Sequence, residues 1–189
     1  MRFAIIAASL ALLTGCASFH NPSDPARLNV DQVPKSSGIA IISAGAPENC
    51  VSTATHLDVI PAYPGYKGIG IASMDVDGYV MKSDFADHQG NVHAFVLPVG
   101  DYRLSPWIAN PYVSAKRVPR IEFSISAGEV VYLGEFFMPV HCVLNPVYSI
   151  RDQRDRDMAI VMQRNPKLAG ANIATRLPQF AANSSDDKK

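Results

Sequence analysis

Short segments in which apolar and polar residues alternate dominate the middle of the chain. In 121–125, the first, third and fifth residues are apolar and the two between them are polar. Because successive side chains of a strand point to opposite faces, this pattern predicts a strand with one buried face. After a turn at Ala127-Gly128, the almost wholly apolar run 130–137 predicts a central strand that is covered on both faces.

Other segments show weaker versions of the same pattern. A turn is predicted at 98–100, where Pro98 presets φ and Gly100 is free to take a positive φ. A two-residue hairpin is predicted at Asp77-Gly78. The remaining predicted strands are short, apolar or alternating, and bounded by Gly, Pro, Asn or Ser: 38–43, 50–57, 68–76, 79–82, 91–97, 101–108 and 140–150.

The pattern changes near the C-terminus. Residues 152–164 contain no Gly or Pro, and Met158, Val161 and Met162 recur at helical spacing. Asn165-Pro166 ends this segment, so we expect one C-terminal helix near 152–164. Strands followed by a single helix predict a mainly β protein, an antiparallel β-sandwich with one C-terminal α-helix.

Two segments resemble a known class of sandwich. Residues 97–104, Leu-Pro-Val-Gly-Asp-Tyr-Arg-Leu, resemble the hairpin of prealbumin-like and carboxypeptidase-regulatory-like domains. Residues 123–134 resemble the second half of that pattern, in which a polar strand turns on Gly into an apolar strand carrying a Tyr. The resemblance covers 91–137, about a quarter of the chain. It implies a prealbumin-like, Greek-key fold and implies no reaction.

The N-terminus carries a second resemblance. After Met1 and Arg2, an uncharged apolar run that is too short to span a bilayer leads to Leu13-Thr14-Gly15-Cys16. This motif resembles the lipobox of bacterial lipoproteins, which implies a signal peptide at 1–15 and a thioether-linked, palmitate-type lipid on Cys16. Ala17 stands where inner-membrane retention usually requires Asp, which implies attachment to the outer membrane facing the periplasm. An ordinary secretory leader with an incidental Cys is the alternative.

These observations divide the chain into four parts. We expect the signal peptide at 1–15, the lipidated Cys and a flexible tether at 16–37, the sandwich with its helix at 38–180, and a disordered tail at 181–189. Besides Cys16 the chain has Cys50 and Cys142. In an oxidising compartment we expect them to form a disulfide, and the alternative is two buried free thiols.

Composition and motifs restrict the function. Only 18% of residues are charged and the net charge is zero, so no basic field indicates nucleic acid. The chain has no Gly-x-Ser-x-Gly elbow, phosphate loop or dinucleotide fingerprint, and we expect neither a cofactor nor an enzyme. The leading hypothesis is a non-enzymatic envelope protein, membrane-bound through Cys16, that binds a protein or cell-wall partner as a binding or structural accessory protein. The alternatives are a small-ligand or metal-binding lipoprotein and, third, an envelope hydrolase.

Three groups of residues are candidates for a site. An aromatic and basic surface for a glycan or protein is one hypothesis, and core aromatics beside a solvated loop are its alternative: Tyr102, Trp107, Tyr112, Lys116 and Arg117. Candidate metal ligands lie near the spacing of a calcium loop, but the flanking segments are predicted strands where that loop needs helices, so a hairpin turn with solvated acids is the favoured interpretation: Asp75, Asp77 and Asp84. The scattered histidines form no metal-ligand pair on one element: His56, His88, His93 and His141.

Overall fold

The protein is mainly β, with two packed sheets, one mixed and one antiparallel, and one helix in its C-terminal region. The computed structural model describes residues 23–48, 55–68, 70–76, 82–108, 120–140 and 147–180. The strands are β1 (Ser37–Ala46), β2 (Thr55–Pro61), β3 (Ala72–Asp75), β4 (Gln89–Pro98), β5 (Gly100–Ile108), β6 (Ile121–Ile125), β7 (Val130–Val140), β8 (Val147–Arg151), β9 (Ile173–Thr175) and β10 (Gln179–Phe180). The helix α1 spans Arg154–Arg164, and 3₁₀ turns lie at Pro25–Arg27, Val30–Gln32 and Pro166–Leu168.

The two sheets differ in how their strands run. In sheet A the order is β4-β1-β7-β8, with β9 also pairing β7, and both β1 and β9 run parallel to β7. In sheet B the order is β10-β6-β5-β2-β3, and every pair is antiparallel. The two-sheet β fold and the C-terminal helix are therefore confirmed. The expectation of antiparallel pairing throughout is wrong for sheet A, because β1 and β7 meet through a long connection instead of a hairpin.

Two apolar layers hold the fold together. The first lies between the sheets, where Phe95, Leu104 and Ile121 are at most 1% exposed. The second lies between sheet A and α1, where Ile41, Tyr132 and Val161 are fully buried. Sheet A is therefore covered on both faces, as predicted for β7, whereas within the described ranges no helix covers the outer face of sheet B. In β6, the alternation of buried and exposed residues confirms the predicted strand.

The domain begins earlier than the sequence indicated. Asn165, at the end of α1, donates from Nδ2 to the carbonyl oxygens of Pro25 and Leu28 at 3.0 and 2.8 Å, and Leu28 is 5% exposed. These contacts correct the expected tether of 16–37, since the chain from Ser23 onward packs against the domain. Apolar side chains within this Pro-rich segment pack against the apolar layer between sheet A and α1, although the overall composition of the segment is typical of a tether.

Several expectations fall outside the described residues. They include the lipobox with Cys16, the pair Cys50 and Cys142, the turn at Asp77-Gly78 and the tail at 181–189. Within the described ranges, no helix combines the length and the apolar character that crossing a bilayer requires.

Candidate functional site

A bulge in β7 shapes the outer face of sheet A, which α1 covers. Ile41 pairs with Tyr132, but Ser43 pairs with Glu135, so β7 carries one extra residue over this stretch. Gly134 absorbs it with φ +89°, a conformation that favours glycine. As a result, the side chains of Tyr132 and Glu135 both reach the residues of α1 and its approach, where strict alternation would separate them.

Asp157 of α1 is anchored to sheet A by hydroxyl groups. It is fully buried, and its Oδ2 accepts hydrogen bonds from Ser43 Oγ at 2.6 Å and Tyr132 OH at 2.7 Å. Its Oδ1 accepts from Arg156 Nε at 2.9 Å. Burial, and then the negative charge of Asp157, raise the pKa of Tyr132, so this phenol remains a donor. The Tyr132 oxygen also accepts from the Gln153 amide at 3.1 Å, which fixes the first turn of α1.

Glu135 is the second fully buried acid, and it is surrounded by cations. Arg151 donates from Nε and Nη2 to Oε2 at 2.9 and 2.6 Å. Arg156 Nη2 lies 3.3 Å from Oε1 and 2.7 Å from Asp157 Oδ1, distances of ion pairing without a linear hydrogen bond. His88 Nε2 lies 2.7 Å from Oε1. Both buried carboxylates therefore have partners on both oxygens, as burial of charge requires.

His88 enters this network from the segment before β4. Its ring stacks on Phe85 with centroids 4.6 Å apart, and its Nδ1 lies 2.7 Å from the exposed Asp87. Gly45 leaves room for the ring, because a Cβ there would lie 2.9 Å from His88 Cδ2. We call the charged network the α1 cluster, and it comprises Asp87, His88, Glu135, Arg151, Arg156 and Asp157.

The α1 cluster joins elements of the fold. Its two hydroxyl neighbours, Ser43 and Tyr132, donate to Asp157, whereas the two ring nitrogens of His88 face carboxylates. Nucleophilic catalysis needs a hydroxyl or thiol hydrogen-bonded to its base and accessible to a substrate, but Ser43, Tyr132 and Asp157 are all fully buried. The cluster instead links β7, β8, α1 and the segment before β4.

The outer face of sheet B, which no helix of the described ranges covers, carries a different arrangement. Trp107 of β5 is 43% exposed, and its indole stacks on His56 of β2 with centroids 4.5 Å apart and planes at 24°. Asp75 of β3 holds this imidazole through a 2.6 Å contact to Nδ1. Asp58 lies on the same face and pairs across the strands with Ser105 and Ser73. We call His56, Asp58, Asp75 and Trp107 the Trp107 patch.

The predicted aromatic surface is partly corrected. Trp107 is exposed as that hypothesis requires, but Tyr102 is 4% exposed, stacks on Phe123 and donates to the Pro98 carbonyl at 2.7 Å. Tyr102 thus belongs to the core, because inward positions of β5 alternate with the outward position of Trp107. Tyr112, Lys116 and Arg117 lie outside the described residues.

The candidate metal ligands are separated. Asp75 contacts His56 on sheet B, whereas Asp84 accepts from the Val92 amide at 2.9 Å and binds Arg164. Asp77 is outside the described residues. Across the described ranges, no three His, Cys, Asp or Glu residues converge on a common point.

The three described histidines lie apart from one another. His93 is 9% exposed, its Nε2 has no hydrogen-bond partner, and burial lowers its pKa to about 4. His56 lies on β2 of sheet B, whereas His88 lies in the segment before β4, in a different network. His141 falls outside the described residues.

Sequence reasoning missed the α1 cluster. One signal was present: Glu135 is the only charged residue within the apolar run 130–140. A charge inside a strand predicted to be buried on both faces requires a partner, which is what Arg151, Arg156 and His88 supply. Comparison with protein-family models and with curated protein sequences found no match for this chain.

Proposed function

We propose that the protein is a bacterial envelope lipoprotein, anchored through a lipid on Cys16, whose prealbumin-like sandwich binds a protein or cell-wall partner through the Trp107 patch. It acts without catalysis, on the periplasmic side of the outer membrane. The observation that carries the proposal is Trp107 itself, a large aromatic side chain that is 43% exposed on a sheet face that no described helix covers.

The arrangement of the Trp107 patch favours binding. Trp is enriched among the few residues that dominate the binding energy of protein interfaces, because its side chain buries a large area with few rotatable bonds. His56 stacks on the indole and Asp75 holds His56, so the ring is restrained before a partner arrives. Such preorganisation lowers the entropy cost of association. Asp58 and Ser105 lie beside it and add hydrogen-bonding groups to the apolar contact.

The sequence supports a lipid anchor on Cys16 and limits the distance between that lipid and the folded domain. Residues 17–22 lie between Cys16 and Ser23, the first described residue, whose carbonyl oxygen accepts from the Ala94 amide. From Cys16 to Ser23 the chain spans at most about 25 Å in any conformation. A lipid on Cys16 would therefore hold the domain close to the membrane, and the partner must be accessible there.

The anchor is tested by metabolic labelling with radioactive palmitate, followed by membrane fractionation. We expect the label to enter the wild-type protein and to be lost in Cys16→Ser, which moves from the outer-membrane fraction to the soluble fraction. Cys50→Ser is the matched control and should keep the label. Unlabelled wild-type protein, or label retained by Cys16→Ser, contradicts the anchor.

The binding surface is tested by co-sedimentation of the soluble domain with purified cell-wall sacculi. If the partner is the cell wall, Trp107→Ala should reduce the sedimented fraction at least several-fold, as expected for loss of a central aromatic contact. Tyr63→Ala is the control, because Tyr63 is 59% exposed but lies outside the Trp107 patch. Equal sedimentation of both variants excludes the patch as a cell-wall site and leaves a protein partner to be found by crosslinking.

A second candidate function is binding of a small charged ligand. A pocket of about 420 Å³ beside β4 is lined by Lys82, Arg164, Asp24 and Asp84, among others. Its volume falls within the range of small-molecule sites, and its balanced charges suit a zwitterion. A free amino acid that raises the melting temperature of wild type but not of Lys82→Gln would support this function. No shift with any of the common amino acids would exclude it.

A further inference from the structure

We infer that the partner of the Trp107 patch is a protein segment with a cationic side chain, which lies over the exposed indole and pairs with Asp58 and Asp75. The inference rests on the proposed function, because it takes the Trp107 patch as the binding surface. It adds the chemistry of the occupant. The argument is charge complementarity between this part of sheet B and the partner.

Two carboxylates adjoin Trp107 on the outer face of sheet B. Trp107 pairs across the strands with His56, and His56 pairs in turn with Asp75. Asp58 follows His56 by two positions and is directly opposite Ser105. Asp58 is therefore a diagonal neighbour of Trp107, and such neighbours lie about 7–8 Å apart, within reach of a long side chain. A group bound at the indole thus has a carboxylate near it on two strands.

These carboxylates have no basic partner within the described ranges. Asp75 pairs with the imidazole of His56, and Asp58 forms no ion pair there. By their register, strands β2, β3, β5 and β6 place four acids and one base on this face: Asp58, Asp75, Asp101 and Glu122 against Arg103. The whole chain has equal numbers of acidic and basic residues, so this face is negative relative to the rest of the molecule.

The indole also favours a cation at this position. The face of a Trp ring attracts a guanidinium or ammonium group that lies within about 6 Å of the ring centroid. His56 stacks on one side of the ring, and the residue is still 43% exposed, so part of the indole remains accessible. A neutral sugar could contact that surface too, but it would leave both carboxylates uncompensated as water is displaced, which costs free energy.

Arginine matches both parts of the Trp107 patch. Its planar guanidinium stacks on aromatic rings and donates in pairs to carboxylates, whereas the lysine ammonium acts as a point charge. Arginine is also enriched in protein interfaces, where lysine is depleted. The occupant is therefore a segment of a protein partner that presents arginine, with lysine as a weaker substitute.

Intrinsic fluorescence of the whole protein in a nonionic detergent tests the inference, because Trp107 is the only tryptophan in the chain. The probes are a synthetic peptide of alternating arginine and glycine, the same peptide with glutamate in place of arginine, and a neutral N-acetylated chito-oligosaccharide. We expect a saturable change of emission with the arginine peptide alone. Raising the salt from about 10 mM to about 1 M shortens the Debye length from about 30 to about 3 Å and should weaken binding at least ten-fold.

Two substitutions locate the site. Asp58→Asn and Asp75→Asn each preserve the shape of the side chain and remove its charge. Each should raise the Kd of the arginine peptide about 2- to 5-fold, the range for an exposed ion pair. Asp155→Asn is the matched control, because Asp155 is exposed on α1, and it should leave the Kd unchanged. Melting temperatures show whether each variant is folded, and Asp58→Asn alone suffices if Asp75→Asn is not.

The outcomes separate the kind of partner from the existence of a binding surface. A response to the oligosaccharide but not to the arginine peptide overturns the cationic occupant and leaves the Trp107 patch as a glycan site. Equal weakening by Asp58→Asn and Asp155→Asn shows general charge attraction and also overturns it. If no probe changes the emission, the inference is wrong, whereas the binding surface itself is decided by the sedimentation of Trp107→Ala.

Discussion

The outer faces of the two sheets use similar residue types for different purposes. On sheet A, α1 covers the surface, and all four oxygens of Glu135 and Asp157 have partners. On sheet B nothing in the described structure covers the corresponding surface, where Asp75 and Trp107 are exposed. Each face carries an imidazole between a carboxylate and an aromatic ring. The surroundings decide whether that arrangement stabilises the fold or remains available to a partner.

Burial explains the difference. A charge removed from water is tolerated only with compensation, so the α1 cluster is complete and each member depends on the others. A pair in solvent contributes little to stability, so His56 and Asp75 are free to serve another role. We therefore expect substitutions on sheet A to affect folding and substitutions on sheet B to affect binding.

The largest expected effect is the loss of Asp157. Asp157→Ala leaves Arg156 and two hydroxyl groups without their buried acceptor and should cost about 3–5 kcal/mol in the free energy of unfolding. Asp155→Ala is the matched control, since Asp155 lies exposed in the same turn and should cost less than about 1 kcal/mol. The free energy of unfolding of both variants is measured by urea denaturation. Equal losses for Asp157→Ala and Asp155→Ala would contradict the importance of the buried network.

The bulge that builds the α1 cluster gives the next largest effect. Gly134→Ala places a Cβ 2.8 Å from Leu177 at φ +89° and should cost about 1–3 kcal/mol. Gly128→Ala has φ +70° but no atom within 4 Å, so it should cost about 1 kcal/mol from strain alone. Gly170→Ala has neither feature and should change the free energy of unfolding by no more than about 0.5 kcal/mol. A different order of the three melting temperatures would refute the bulge argument.

On sheet B, Trp107→Ala should have a small effect on folding. It removes one stacked pair at the surface, so the free energy of unfolding should fall by only about 0.5–1.5 kcal/mol. Binding to the partner should be lost. If this variant instead unfolds as readily as Asp157→Ala, the distinction between the two faces fails.

The smallest expected effect concerns Glu129 and Arg176 near the edge of both sheets. Burial alone would raise the pKa of Glu129, but the hydrogen bond and charge of Arg176 outweigh it, and the pKa is lowered. The resulting stability is present above about pH 4.3, the ordinary value for glutamate, and fades as pH falls through the folded value. Arg176→Gln should cost about 0.2–1 kcal/mol more at neutral pH than in strong acid, where the hydrogen bond from Arg176 to the Ser124 carbonyl remains. In a Glu129→Gln background the effect of Arg176→Gln should not change over this pH range.

Local pattern predicted the elements better than their partners. The alternation in 121–125 and the apolar run at 130–137 were enough to predict β6 and β7, because burial of one or both faces leaves its period in the sequence. The parallel pairing of β1 with β7 leaves no local signal, since it joins segments separated by about half of the chain. The same limit applies to the α1 cluster, whose members come from four separate segments. Tyr102 and Trp107 lie five residues apart in the predicted strand 101–108, so strand alternation alone places them on opposite faces. Which of the two faces is buried depends on how β5 pairs within sheet B, and that pairing leaves no local signal.

The most direct test of the account compares crosslinking from the two faces in living cells. A photoreactive amino acid is placed at Ser73, exposed beside the Trp107 patch, or at Ala159, exposed on α1 over sheet A. We predict a defined adduct from Ser73 that disappears when Trp107→Ala is added, and no adduct from Ala159. Equal adducts from both positions, or an adduct from Ala159 alone, would contradict the claim that the open face of sheet B is the binding surface.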